Sequence, residues 1–178
     1  MKKQKGFSLI ELLIVVAIIL IIAAIAIPNL LRSKIAANES SAVGSVRTIN
    51  TAEVTYSSSW GTGYAVAIGN LGGTAAACAA GASAANACLI DELLSTGPST
   101  KSGYVFAAVG GNLVNGVLNT FEVNATPSVV QTTGIRAFCS DQSGVLRFNS
   151  PGAAAIGTAA GTCSAVANVP GTSGPIGN

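Results

Sequence analysis

The sequence predicts an α+β protein, with one long N-terminal helix whose apolar first half protrudes and whose second half packs against a small antiparallel β-sheet. Three observations lead there. An almost wholly apolar run extends from Gly6 to Ile27. Beyond Pro28, apolar residues recur at helical spacing through Tyr56. From Gly103 onward the period changes to short, strand-like segments separated by turn residues.

The apolar run comes first. As a helix it is roughly 32 Å long, close to a bilayer core of about 30 Å. Lys2, Lys3 and Lys5 precede it, and Glu11 is its single acid. A carboxylate at mid-depth in a membrane helix costs on the order of 2.5–3.5 kcal/mol, and less near an end. Such a group needs a partner, and no Lys or Arg lies between Lys5 and Arg32 to provide one. An ordinary signal peptide, cut after Ala24-Ile25-Ala26, leaves the acid unexplained. So does a plain anchor oriented by its lysines. An anchor cut between Gly6 and Phe7 explains it, because the cut creates a free amine four residues from Glu11.

The helix is expected to run from about Phe7 to Ser57. Pro28 removes one backbone donor and is expected to kink it. Leu31, Ile35, Ala42, Val46, Ile49, Ala52 and Tyr56 form the stripe that faces a head. Arg32, Lys34, Asn38, Ser41, Ser45 and Thr48 fall largely off it. The alternative is two helices broken at Pro28. Ser57-Ser58-Ser59-Trp60-Gly61 reads as the stop. The expected division is a leader at 1–6, a membrane-spanning or filament-core helix at 7–29, the amphipathic half at 30–58 and a globular head at 59–178.

Residues 61–98 read as connecting loops, with a low-complexity, exposed stretch from Gly72 to Gly81. Leu89 to Leu94 suggests one or two helical turns. Strands are expected at Tyr104–Val109, Thr120–Ala125, Ile135–Cys139 and Val145–Phe148, the last two joined by the turn Ser140-Asp141-Gln142-Ser143-Gly144. Phe106, Phe121 and Phe138 are expected on the face that covers the helix. Residues 150–178, rich in Gly, Ala, Pro and Ser, read as a surface tail.

Charged residues are only 9% of the chain, with nine basic and seven acidic. Loss of a leader through Gly6 leaves six basic against seven acidic, so no basic field for nucleic acid remains. Histidine is absent, which excludes His-based triads and the commonest zinc sites. No G-x-S-x-G elbow and no P-loop occurs, and Gly61-Thr62-Gly63 reads as a turn. Neither an enzyme nor a bound cofactor is expected. Asp91 and Glu92 read as solvated surface rather than a metal site. Arg136 and Arg147 are candidates to face one another across the hairpin, as an anion site or as paired surface charges. Asn38-Glu39-Ser40 and Asn124-Ala125-Thr126 match a short glycosylation pattern. Tyr56, Trp60 and Tyr64 read as packing at the corner where the helix ends.

The four cysteines, Cys78, Cys88, Cys139 and Cys163, form no C-x-x-C pair. Behind an export-like segment, an even count reads as two disulfides in an oxidising compartment. The near-neighbour pairing Cys78–Cys88 and Cys139–Cys163 is favoured among the three connectivities that four cysteines allow.

At Lys5-Gly6-Phe7-Ser8-Leu9-Ile10-Glu11-Leu12-Leu13-Ile14-Val15 the sequence resembles the class III signal of type IV pilins and pseudopilins, with the six-residue leader and Phe7 closest to the a-type class. The resemblance implies cleavage after Gly6 by a membrane prepilin peptidase and N-methylation of Phe7. It implies that Glu11 meets the terminal amine of a neighbouring identical subunit, and that Pro28 is the helix-loosening position. It also implies the pilin fold, residence in the inner membrane among lipid, and polymerisation by an assembly platform and ATPase into an extracellular filament. Adhesion, twitching motility and DNA uptake are the functions such filaments serve. Two disulfides depart from the simplest pilin pattern. A secretion pseudopilin or minor pilin is the alternative within the class. A membrane-tethered periplasmic binding module or enzyme is the alternative outside it.

Overall fold

The computed structural model describes residues 7–176. The leader and the Gly6 side of the expected cleavage site lie outside them. One helix, α1 (Leu9–Trp60), runs unbroken through Pro28. By its contacts the chain divides into two units, one through Lys34 and one from Ile35 onward. The break expected as an alternative at Pro28 is therefore absent from the secondary structure.

In the first unit α1 is apolar on every side from Leu12 to Ile27. In the second it is one-sided. Ile35, Glu39, Ala42, Val46, Ile49, Glu53 and Tyr56, all buried, are spaced by alternating steps of four and three residues. That spacing keeps one face of the helix toward the sheet. Leu31, expected on the stripe, is 46% exposed. Ser45, expected off it, is buried, because the packed face is wide enough to include its neighbours.

Three short helices follow: α2 (Ile68–Leu71), α3 (Ala75–Ala79) and α4 (Glu92–Ser95). α4 overlaps the helical turn expected at Leu89 to Leu94, whereas α2 and α3 correct the expectation of plain loops. Leu71, Ala87, Ile90 and Leu94 are buried in the main core. Thr74 caps α3 by accepting the Ala77 N–H, and Asp91 caps α4 by accepting the Leu94 N–H at 3.0 Å.

The sheet has six antiparallel strands in sequence order: β1 (Thr100–Lys101), β2 (Tyr104–Val114), β3 (Val117–Pro127), β4 (Ala137–Asp141), β5 (Arg147–Asn149) and β6 (Ser173–Pro175). About four were expected. β2 and β3 are longer than expected because Asn115-Gly116 makes a two-residue turn, pairing Val114 with Val117. Both turn residues have positive φ, as the favoured hairpin turn requires. Phe106, Phe121 and Phe138 share the core with Ala42, Val46, Ile49, Ala52 and Tyr56 of α1.

The region from 150 onward lies mostly at the surface, as expected, but it is anchored to the sheet rather than a loose tail. Gly152, Gly157, Cys163, Ser173 and Gly174 are buried, and β6 pairs with β5. The segment covers the far face of β3 and β4. Glu122 accepts the N–H groups of Gly161 at 2.6 Å and Cys163 at 3.1 Å, while Asn124 donates to the Gly157 carbonyl at 3.1 Å. Gly157 has φ +70°, and a side chain there would run into Cys139 and Glu122. A segment of small residues carries little periodicity, so its few buried anchor points left no pattern to read.

Two further carboxylates join α1 to the head's loops. Glu39 accepts the N–H groups of Ile135 at 2.9 Å and Arg136 at 3.1 Å, and holds the Arg136 guanidinium at 2.6 and 2.9 Å. That guanidinium lies over Phe138 and Phe148, 5.4 and 5.5 Å from the ring centres. Glu53, fully buried, accepts the Ala65 N–H at 2.8 Å, and its other oxygen has no partner.

Both carboxylates can be tested through stability. Glu39→Ala leaves two backbone N–H groups and Arg136 without their acceptor, and is expected to lower unfolding free energy by about 2–4 kcal/mol, read from urea titration of the full chain in detergent. Burial raises the Glu53 pKa to about 7, partly offset by the Ala65 N–H. Below pH 4.5 both folded and unfolded chains hold this proton, and the stability is fully present. Between pH 4.5 and 7 only the unfolded chain releases it, so about 3 kcal/mol is lost, and the profile is flat above. Glu122, raised chiefly by burial and also by the nearby Asp141 charge, adds to the loss in the same direction. Urea titrations across this range should show Glu53→Gln losing clearly less stability than the wild type; parallel profiles would contradict the assignment.

Candidate functional site

Between Phe7 and Leu31 every large apolar side chain is exposed, by 46–80%. Glu11 is the only charged residue in that span. The helix is long and apolar enough to cross a membrane. In water each such side chain forfeits on the order of 1.5–3 kcal/mol that burial would recover. This surface suits lipid or other apolar helices.

The start of the helix is built from four residues. Phe7 and Ser8 are non-helical, and Phe7 is 78% exposed. Ser8 occupies the cap position, and its carbonyl accepts the Leu12 N–H at 3.3 Å. Glu11, in the first turn, folds back so that Oε2 accepts the Ser8 N–H at 2.9 Å. This is one arm of the S-x-x-E capping box. The spacing Ser8…Glu11 is a signal in the sequence. A count of Lys and Arg partners does not reveal it, because the donor is backbone. Glu11 is thus satisfied in part within its own chain, while no cation of the described residues reaches it. Pro28 sits inside α1, where its missing N–H leaves the Ala24 carbonyl without the usual helical donor.

The other candidate residues are occupied by structural contacts. Arg136 is held by Glu39, whereas Arg147 lies opposite Cys139 and donates to the Val166 carbonyl. They form no shared anion site. Asp91 pairs with Lys101 at 2.7 Å, and Glu92 accepts the Ala75 N–H. No metal-holding group of three His, Cys, Asp or Glu residues occurs among the described residues. Asn124 is buried, and Asn38 donates to the Thr133 carbonyl at 2.8 Å. Tyr56 stacks on Trp60 at 4.9 Å and donates to the Ala84 carbonyl, while Tyr64 meets Phe121 edge-on at 4.7 Å. Tyr56 and Tyr64 also line an apolar hollow of about 270 Å³ with Val66, Leu113 and Leu118. The hollow holds no catalytic pairing.

Cys78 joins Cys88 and Cys139 joins Cys163. The first closes the loop around α3. The second pins the covering segment to β4.

Residues 1–27 match the family model described as the prokaryotic N-terminal methylation motif. The N-terminal segment is thus similar to that motif over its first 27 residues. A 39-residue stretch is 62% identical to the "Type IV wide pilus major component PilA4" of Thermus thermophilus, covering 22% of this chain and 30% of that protein. The chain therefore matches under a third of that relative's length. No solved structure matches the chain. The pilin likeness rests on the N-terminal region, and the long helix against an antiparallel sheet agrees with it in arrangement.

The two disulfides of this pilin-like chain differ in access. Cys78 and Cys88 are half-buried, whereas Cys139 and Cys163 are fully buried. Under mild reductant without denaturant, thiol labelling is expected at Cys78 and Cys88 first. Equal labelling of all four would contradict this.

Proposed function

We propose that this protein is a structural subunit that polymerises into a type IV pilus. The observation that carries the reading is Glu11, the lone charge between Phe7 and Leu31 in the exposed apolar first half of α1, within the methylation motif. A peptidase removes residues 1–6 and Phe7 becomes the methylated terminus. Residues 7–29 hold the subunit in the inner membrane until assembly, residues 30–58 support the head, and residues 59–178 form it.

Polymerisation moves the apolar helix from lipid into a bundle of identical helices. The positive amine of one subunit then meets Glu11 of another. In a low-dielectric bundle the pair offsets the cost of burying either charge, and a misplaced subunit leaves one unpaired. Head-to-tail contacts that do not close generate a fibre. An assembly platform with its ATPase would supply the work of extraction. Adhesion, motility and DNA uptake are the uses such a fibre would serve.

Mass spectrometry of the mature chain tests the processing: N-methyl-Phe7 is expected, and an intact Met1 would instead favour a tethered periplasmic module. Glu11→Val is expected to insert in the membrane normally yet reduce sheared surface fibres at least tenfold by electron microscopy. Wild-type fibre yield in that variant would sink the reading. Only short periplasmic fibres from the wild type would favour a secretion pseudopilin.

A further inference from the structure

The cap at the start of α1 gives Glu11 a second contact beside the one the filament reading assigns to it. Its Oε2 accepts the Ser8 N–H, whereas its Oε1 has no partner among the described residues. A carboxylate offers about four acceptor sites across its two oxygens. One oxygen can therefore be held within the chain while the other receives a donor from outside. We propose that Ser8 is a positioning residue for assembly, acting through its backbone N–H to hold the Glu11 carboxylate at the helix end with one oxygen directed to the amine of a second copy.

This rests on the filament reading and adds what aims the carboxylate. The Ser8 N–H is one of the helix's initial donors that have no partner within the helix. In lipid neither it nor the carboxylate has water to turn to, so each satisfies the other. Between Phe7 and Leu31 no Lys, Arg or His competes for the carboxylate. The contact also restricts the rotamers of Glu11 before a partner arrives, so less freedom is lost on docking. The role belongs to the backbone: any residue with an N–H at position 8 can fill it, and proline cannot.

The test uses the processed, isotope-labelled full chain in detergent micelles. Ser8 amide hydrogen exchange is measured in the wild type, Glu11→Ala and Glu11→Gln. About tenfold slower exchange is expected in the wild type than in Glu11→Ala. Glu11→Gln is expected to keep most of that protection, since its amide oxygen still accepts, but to lose filaments because it lacks charge. In cells, Ser8→Pro is expected to lower filament yield at least fivefold with the mature N-terminus correctly cut, and Ser8→Ala to restore it. Equal Ser8 exchange in wild type and Glu11→Ala would overturn the proposal, even if Ser8→Pro blocks cleavage. Full filament yield from a correctly cut Ser8→Pro would overturn it too. Normal filaments from Glu11→Gln, with Ser8 protection intact, would instead overturn the charge pairing and with it the assembly role, while the contact within the chain stood.

Discussion

Backbone N–H groups accepted by carboxylates hold this protein's irregular segments in place. Each of the seven acidic residues makes such a bond. Glu11 takes Ser8, Glu39 takes Ile135 and Arg136, and Glu53 takes Ala65. Asp91 takes Leu94, Glu92 takes Ala75, Glu122 takes Gly161 and Cys163, and Asp141 takes Ser143. Loops built from Gly, Ala and Ser have few large side chains to bury. Their backbone donors still need partners when covered, and charged acceptors form the stronger hydrogen bonds. Acids this scarce all serve architecture, including those that remain exposed, Glu11, Asp91 and Glu92.

The same helix must also satisfy two surroundings. From Leu12 to Ile27 it is apolar on all sides and largely exposed, which suits lipid or a bundle of like helices. From Ile35 its buried residues fall on one face, which suits a sheet. The two regimes need no break in the backbone, because the change lies in side chains alone. Glu11 and Glu39 stand near the beginnings of these two stretches, and each is tied to backbone donors, the first three residues away and the second 96.

Long-range contacts account for what was hard to read. The helix expected from about Phe7 to Ser57, the strand cores around Phe106, Phe121 and Phe138, and the β4–β5 turn carried clear periodicity or turn chemistry. The hairpin turn Asn115-Gly116 and the capping spacing Ser8…Glu11 are local signals too, but each rests on only two residues and is easily passed over. β1 and β6 are two or three residues long, too short for any alternation to register. The covering role of 150–176 depends on Glu122, Asn124 and Cys139, all more than twenty residues away from their partners there.

By itself, the sequence determined the helix, its apolar first half, the methylation-motif N-terminus and the solitary acid, because these are local patterns of residue type and spacing. Only the tertiary structure decided which donors the buried carboxylates take, that the Gly- and Ala-rich C-terminal region covers the sheet, and that Arg136 and Arg147 serve separate contacts. Those outcomes depend on which distant backbone groups are brought together in the absence of water, and no stretch of chain records that alone.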